Sequence, residues 1–244
     1  MNWLQRHWDA RAAANFMLGG AGSGLMVAAL FVDDPSVPVI LSLVLVASGL
    51  TAVWLEIGRK LRAVHVFFNP FTSWMTRESF AALLLFPLGI GALYVPPALP
   101  FAAAAAATFL YCQARILRAS KGIPAWRAPQ VVPLIVLTGL AEGAGIALVF
   151  SVNEFLLFLF ALAVIARVIA WWRYRAAVRT SALEPAGKTL VWIGTLAALV
   201  LVFVPPLAGL AALAAGGWLK FVLVTRASFN QGFSLPHLPV RGSR

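Results

Sequence analysis

Eight runs of sixteen to twenty-one largely apolar residues, at 12–32, 37–57, 79–95, 99–117, 130–150, 155–174, 189–204 and 207–224, occupy most of this 244-residue chain. A hydrocarbon core of about 30 Å is crossed by roughly 20 helical residues rising about 1.5 Å each. The chain is 61% hydrophobic and 11% charged, whereas a soluble domain is nearer half apolar and a quarter charged. A soluble core cannot hide that much apolar surface, so lipid is the expected solvent. The reading is an all-α integral membrane protein of eight transmembrane helices in two four-helix bundles. Residues 1–117 form the first bundle, 118–129 a cytoplasmic loop, 130–226 the second bundle and 227–244 a cytoplasmic tail. The third and seventh runs are short and each ends at a Val-Pro-Pro turn, where proline suits the break because it has no N–H for continued helix. The first eleven residues are charged and aromatic, so the run at 12–32 is read as a span and not as a cleaved leader.

Charge gives the orientation. With the N-terminus inside, eighteen of the nineteen Lys and Arg fall on inner tails, loops or helix ends, and Arg167 alone lies within a span. The outer connections, containing Asp33, Asp34, Asn153, Glu154 and the two Pro-Pro turns, carry no basic residue. This is the positive-inside pattern, and it predicts both termini on the cytoplasmic side of a bacterial inner membrane. Trp3, Trp8, Trp54, Trp74, Trp126, Trp171 and Trp172 fall near the same face, as an interfacial belt does. The net charge of +11 is then explained by topology and anionic headgroups without nucleic acid. A duplication is also legible: 18–31 lies over 137–150 with glycines in register, and Tyr94-Val-Pro-Pro matches Phe203-Val-Pro-Pro. Repeats of four spans run parallel, not inverted.

Several chemistries are excluded. Cys112 is the single cysteine, so the chain builds neither a disulfide framework nor an iron–sulfur cluster of its own. The three histidines, His7, His65 and His237, lie outside the spans, leaving no ligand pair for a haem between helices. The glycine run 19–24 lies in a span and follows no strand, so it reads as close helix packing and not as a phosphate loop.

The residues that invite chemistry are polar groups in or beside the membrane. Asn15 is one turn into the first helix, Glu56 ends the second, Glu142 is near the middle of the fifth and Arg167 is inside the sixth. A charge at such depth costs roughly 2.5 to 3.5 kcal/mol on insertion scales. The depths of Glu142 and Arg167 differ by only about 8 Å at helical rise, so they read as a structural ion pair, a proton path or the wall of a polar pocket. The inner loop from Gly58 to Glu78 mixes His65, Asn69, Trp74, Arg77 and Glu78 with aromatics, and the next inner stretch continues with Tyr111, Gln113, Arg115, Arg118, Lys121 and Arg127. Such a mixture at the membrane surface suits a hydrophobic ring compound whose carbonyls need donors and a proton source. Quinone is the obvious candidate.

Three segments carry a family resemblance: WDARAAANFMLGGAGSG, NPFTSWMTRE and CQARILRASKGIPAWRAP. They resemble the membrane-anchor subunits of dimethyl sulfoxide reductase-type complexes, related to polysulfide reductase anchors, and within that family the anchors of phenylacetyl-CoA:acceptor oxidoreductases. The resemblance covers most of the first five helices. It implies a haem-free anchor, without catalysis of its own on the soluble substrate, that exchanges electrons between a four-cluster ferredoxin-like iron–sulfur subunit and ubiquinone or menaquinone. The ferredoxin in turn serves a molybdopterin catalytic subunit on the cytoplasmic side. It also implies a histidine and an acid near the connection from the second to the third helix, for which His65 and Glu78 are the candidates. Polar residues on the first and fourth helices, Asn15 and Tyr111, are possible quinone ligands by the same resemblance. A small polytopic transporter is the alternative from another class, favoured by the glycine-rich helices and buried Glu142. A purely structural anchor is the third.

Overall fold

The computed structural model describes residues 4–5, 8–57, 60–178, 180–201 and 203–230. Trp3, His7, Arg59, His237 and most of the expected tail at 227–244 lie outside the described residues. Eight long helices follow one another among those that are described: α1 (Ala10–Phe31), α2 (Ser36–Glu56), α3 (Trp74–Ala92), α4 (Leu99–Ala119), α5 (Val131–Ala147), α6 (Glu154–Ala177), α7 (Glu184–Val200) and α8 (Pro205–Thr225). By length and composition, α1, α2, α6 and α8 are apolar enough to cross a membrane, with mean hydropathies of 1.5, 2.2, 2.3 and 1.8. The chain is therefore an all-helical multi-pass membrane protein. No β-strand occurs among the described residues, although an isolated bridge joins Leu4 to Phe229 and brings the first and last described segments together. That end of the molecule is called the terminal end below.

Local sequence explains where the helices start. Asp9 caps α1 by accepting from the Arg11 amide at 2.7 Å; the Arg11 side chain and amide together hold the Asp9 carboxyl below its usual range. Ser73 caps α3 by accepting from Thr76 N, and Asn153 caps α6 by accepting from Leu156 N at 2.8 Å, with Glu154 in the first turn. Each cap satisfies an amide that the helix itself leaves unpaired, and the acid at the start of α6 suits the helix dipole. The Ser73 cap places Arg77 and Glu78 on α3 itself, where the sequence reading put them in the loop before a helix starting at 79. Tyr111, Gln113 and Arg115 likewise lie on the last turns of α4.

The helices meet through small residues. A methyl added at Gly24 runs into the Gly139 backbone, and one at Gly143 into the backbone of Gly24 and Leu25. A methyl on Gly139 would lie 3.0 Å from Gly20 O. The glycines matched in the duplication are thus the ones at which α1 and α5 cross, as in small-xxx-small helix pairs. Gly145 and Gly209 form a similar contact between α5 and α8. At the far end, Asn153 Nδ2 donates to Phe31 O and Ser151 Oγ donates to Asp33 Oδ2, both at 2.8 Å, pinning the two turns to each other.

At the terminal end, a core gathers α1, α4, α5, α6, α7 and α8 around Trp126, Trp171 and Tyr174. Trp126 and Trp171 are buried there, while Trp54 and Trp172 are exposed as a belt requires. Trp126 Nε1 donates to Leu223 O at 2.9 Å, and Tyr174 Oη donates to Ala125 O at 2.7 Å. Trp126→Phe keeps the ring but strands the buried carbonyl, so the folded chain should lose about 1–3 kcal/mol. Thermal unfolding in detergent checks this, with Trp172→Phe as the exposed comparison.

Candidate functional site

Near the terminal end, α1, α2, α3 and α4 enclose a cavity of about 250 Å³ whose walls include Trp8, Asn15, Phe16, Glu56, Met75 and Glu78. Its walls are mostly apolar, and its polar groups converge on one spot. Asn15 Nδ2 donates to Glu78 Oε1 at 3.4 Å, and Gln113 Nε2 donates to Asn15 O at 3.0 Å. All three side chains are buried. Asn15 begins a π-helical turn, Asn15–Gly19, a distortion that often marks functional sites in helices. Glycines make room for the group. A methyl at Gly49 would lie 3.0 Å from Asn15 Oδ1, and one at Gly19 would lie 2.6 Å from Gln113 Nε2. Asn15 Oδ1 and Gln113 Oε1 keep no hydrogen-bond partner, so the spot has unused acceptor capacity beside an apolar cavity.

Next to this pocket a cationic and aromatic cluster stands on α3 and α4. The guanidinium carbons of Arg77 and Arg115 lie 4.2 and 4.1 Å from the Trp74 ring centroid. Arg115 NH1 donates to Tyr111 Oη at 2.6 Å, and the Tyr111 ring meets Trp74 edge-on at 5.8 Å. Arg77 is oriented by donating to Pro70 O and Phe71 O at 2.8 and 2.6 Å. Of the residues singled out in the sequence, Asn15 and Glu78 meet in the cavity, and Trp74, Arg77, Tyr111 and Arg115 form the cluster. His65 and Asn69 join neither group. His65 lies exposed on the 3-10 segment Lys60–Phe68 with its ring against Phe68, and Asn69 Oδ1 accepts from Thr72 Oγ1 at 2.8 Å.

A second polar locus lies deeper. Glu142 is paired with Lys220, whose Nζ donates to Glu142 Oε2, and both side chains are fully buried. This corrects the expected pairing of Glu142 with Arg167. Arg167 instead donates through NH1 to Ala212 O at 2.9 Å, while its Nε and NH2 and Glu142 Oε1 have no partner. Lys220, read from the sequence as a basic helix end, is the ion-pair partner because Gly20 and Gly216 leave space beside the pair. A methyl at Gly20 would strike Lys220 Nζ, and one at Gly216 would strike Glu142 Oε1. The same Gly20 methyl position is 3.7 Å from Gln113 Oε1, so the two loci stand back to back across α1. Lys220 was not singled out in the sequence, and Gln113 stood there only as one polar residue of the inner stretch from Tyr111 to Arg127. The signal available was a polar residue within an apolar run facing a stripe of glycines. No protein-family model and no curated protein matches the chain.

Proposed function

We propose that this chain is the haem-free, quinone-reactive membrane anchor of a cytoplasm-facing molybdenum- or tungsten-pterin oxidoreductase. It crosses the bacterial inner membrane eight times with both termini inside, and passes electrons between a partner iron–sulfur subunit and the quinone pool. The observation that carries this reading is the buried Glu78–Asn15–Gln113 set at the edge of an apolar cavity, beside the Trp74, Arg77 and Arg115 stack. A quinone ring would lie between Trp8, Phe16 and Met75, with the Asn15 amide, which Gln113 holds through the Asn15 carbonyl, as the donor to a ring carbonyl. Glu78 sits where a proton is needed when a reduced ring is formed or consumed. Arg77, Arg115 and the neighbouring basic turns offer the acidic or cluster-bearing partner a positive docking face. Tyr111 orients Arg115. His65 and Asn69 then belong to the rim, and Glu142 and Arg167 to a separate polar centre available to proton movement.

The resemblance of the segments at 8–24, 69–78 and 112–129 to dimethyl sulfoxide reductase-type anchors supports the same reading. A small transporter is the second reading, and the buried Glu142–Lys220 pair favours it, because charges inside a membrane commonly mark substrate or ion pathways.

Tryptophan quenching by a short-tailed quinone analogue tests the proposal on the purified chain. Saturable quenching is expected, and Glu78→Gln or Asn15→Leu should weaken it by about ten- to a hundredfold, the loss of a hydrogen bond in a charged setting. Absence of saturation, or equal affinity in both variants, removes the cavity as a quinone site. Solute uptake into liposomes by the chain alone selects the transporter instead.

A further inference from the structure

The seam between α5 and α6 holds two cavities that share Leu137 and Ala166 and so form one continuous groove. The part nearer the terminal end, about 460 Å³, is walled by Pro129, Gln130, Pro133, Ile169, Ala170 and Arg173. The part beyond, about 420 Å³, is almost wholly apolar and runs between α1, α5 and α6 past Leu140 and Ala163 to Leu156 and Phe31. The groove exists because α6 presents the small Ala163, Ala166 and Ala170 there, with the exposed Leu162 and Ile169 at its rim. Two polar groups stand at its mouth. Arg173 is exposed and makes no ion pair among the described residues, in contrast to Arg175, which reaches Glu184 at 3.7 Å. Gln130 Oε1 is buried and has no hydrogen-bond partner.

We propose that this groove is a binding site for an anionic glycerophospholipid. The Arg173 guanidinium takes the phosphate, and the net negative charge of the lipid, which a zwitterionic choline lipid lacks, suits a cation with no acidic partner among the described residues. One acyl chain lies along Ala170, Ala166 and Ala163. From Arg173 to Leu156 the groove runs about 25 Å at helical rise, long enough to hold an acyl chain that starts at the Arg173 end. The headgroup end of the site, at Arg173, lies on the side that carries the basic residues. The assignment needs α6 to lie in lipid but is independent of the quinone reading.

Native mass spectrometry of the full chain, titrated in detergent with phosphatidylglycerol and separately with phosphatidylcholine, tests it. One phosphatidylglycerol should be retained preferentially. Arg173→Gln should weaken that retention about fivefold, as expected for one basic side chain near an anionic headgroup. Ala166→Phe, which fills the groove, should abolish it, while Ala104→Phe on the exposed face of α4 should not. Arg173→Gln alters only an exposed side chain, so its result stands even if Ala166→Phe fails to fold. Equal retention of the two lipids, or unchanged retention in Arg173→Gln, overturns the site.

Discussion

Glu142→Leu should lower the stability of the folded chain by about 3–5 kcal/mol, the range for breaking a buried ion pair from one side. The loss is a large fraction of the roughly 5–15 kcal/mol that holds a typical protein folded. Removing Glu142 leaves two cations, Lys220 and Arg167, in a fully buried site with no carboxylate between them. Lys220→Met should cost less, because the remaining Glu142 still feels the Arg167 charge. Replacing both partners, Glu142→Leu with Lys220→Met, should recover part of the loss, since an apolar pair needs no solvation. The recovery stays incomplete because Arg167 then stands alone. Unfolding in mixed detergent micelles gives the three values. A Lys220→Met variant less stable than Glu142→Leu would show that Arg167 does not contribute to the balance.

Gly143→Leu should separate α1 from α5 and lower stability by more than the approximately 1–3 kcal/mol typical of an overpacked core. The atoms it meets are the backbone of Gly24 and Leu25, which cannot turn aside as a side chain can. Even Gly143→Ala should fall in that range. The informative contrast is Gly91→Ala on α3, where the nearest atom to the new methyl is Ala98 Cβ at 4.0 Å. There the change should stabilise by up to about 1 kcal/mol, the ordinary advantage of alanine over glycine in a helix. The same thermal series reads both signs. A neutral Gly143→Ala would mean that the α1–α5 crossing is looser than the structure has it.

The helical architecture was legible because spans of this length leave a sequence pattern that needs no tertiary information. The far-end turns were legible too, through Val-Pro-Pro and the acidic, base-free connections. The candidate site was legible in part. Asn15 and Glu78 stood out as polar residues at span edges, and the structure brings them within hydrogen-bond distance. What was not legible depends on which faces meet. Arg167 and Glu142 sit on consecutive helices at similar depth, yet Lys220 on α8 is the partner because Gly20 and Gly216 open that side. His65 stood beside Glu78 in the same inner loop, but the 3-10 segment Lys60–Phe68 leaves it exposed and outside the cavity lining. The start of α3 at Trp74 rather than 79 follows from Ser73, a cap that an apolar-run count does not see.

The Glu142–Lys220 pair joins residues 78 positions apart in the chain, and this bears on how the protein is made. In the eight-span reading, α5 enters the bilayer long before α8 has been synthesised. At about 5–20 residues per second, the carboxyl waits roughly 4 to 16 s for its counter-charge. During that interval α5 has to be sheltered from lipid on its Glu142 side, and α1, already in place and matched to it glycine for glycine, is the surface at hand. On that reading assembly is ordered, with the last helix serving as the latch that closes an otherwise unfavourable intermediate.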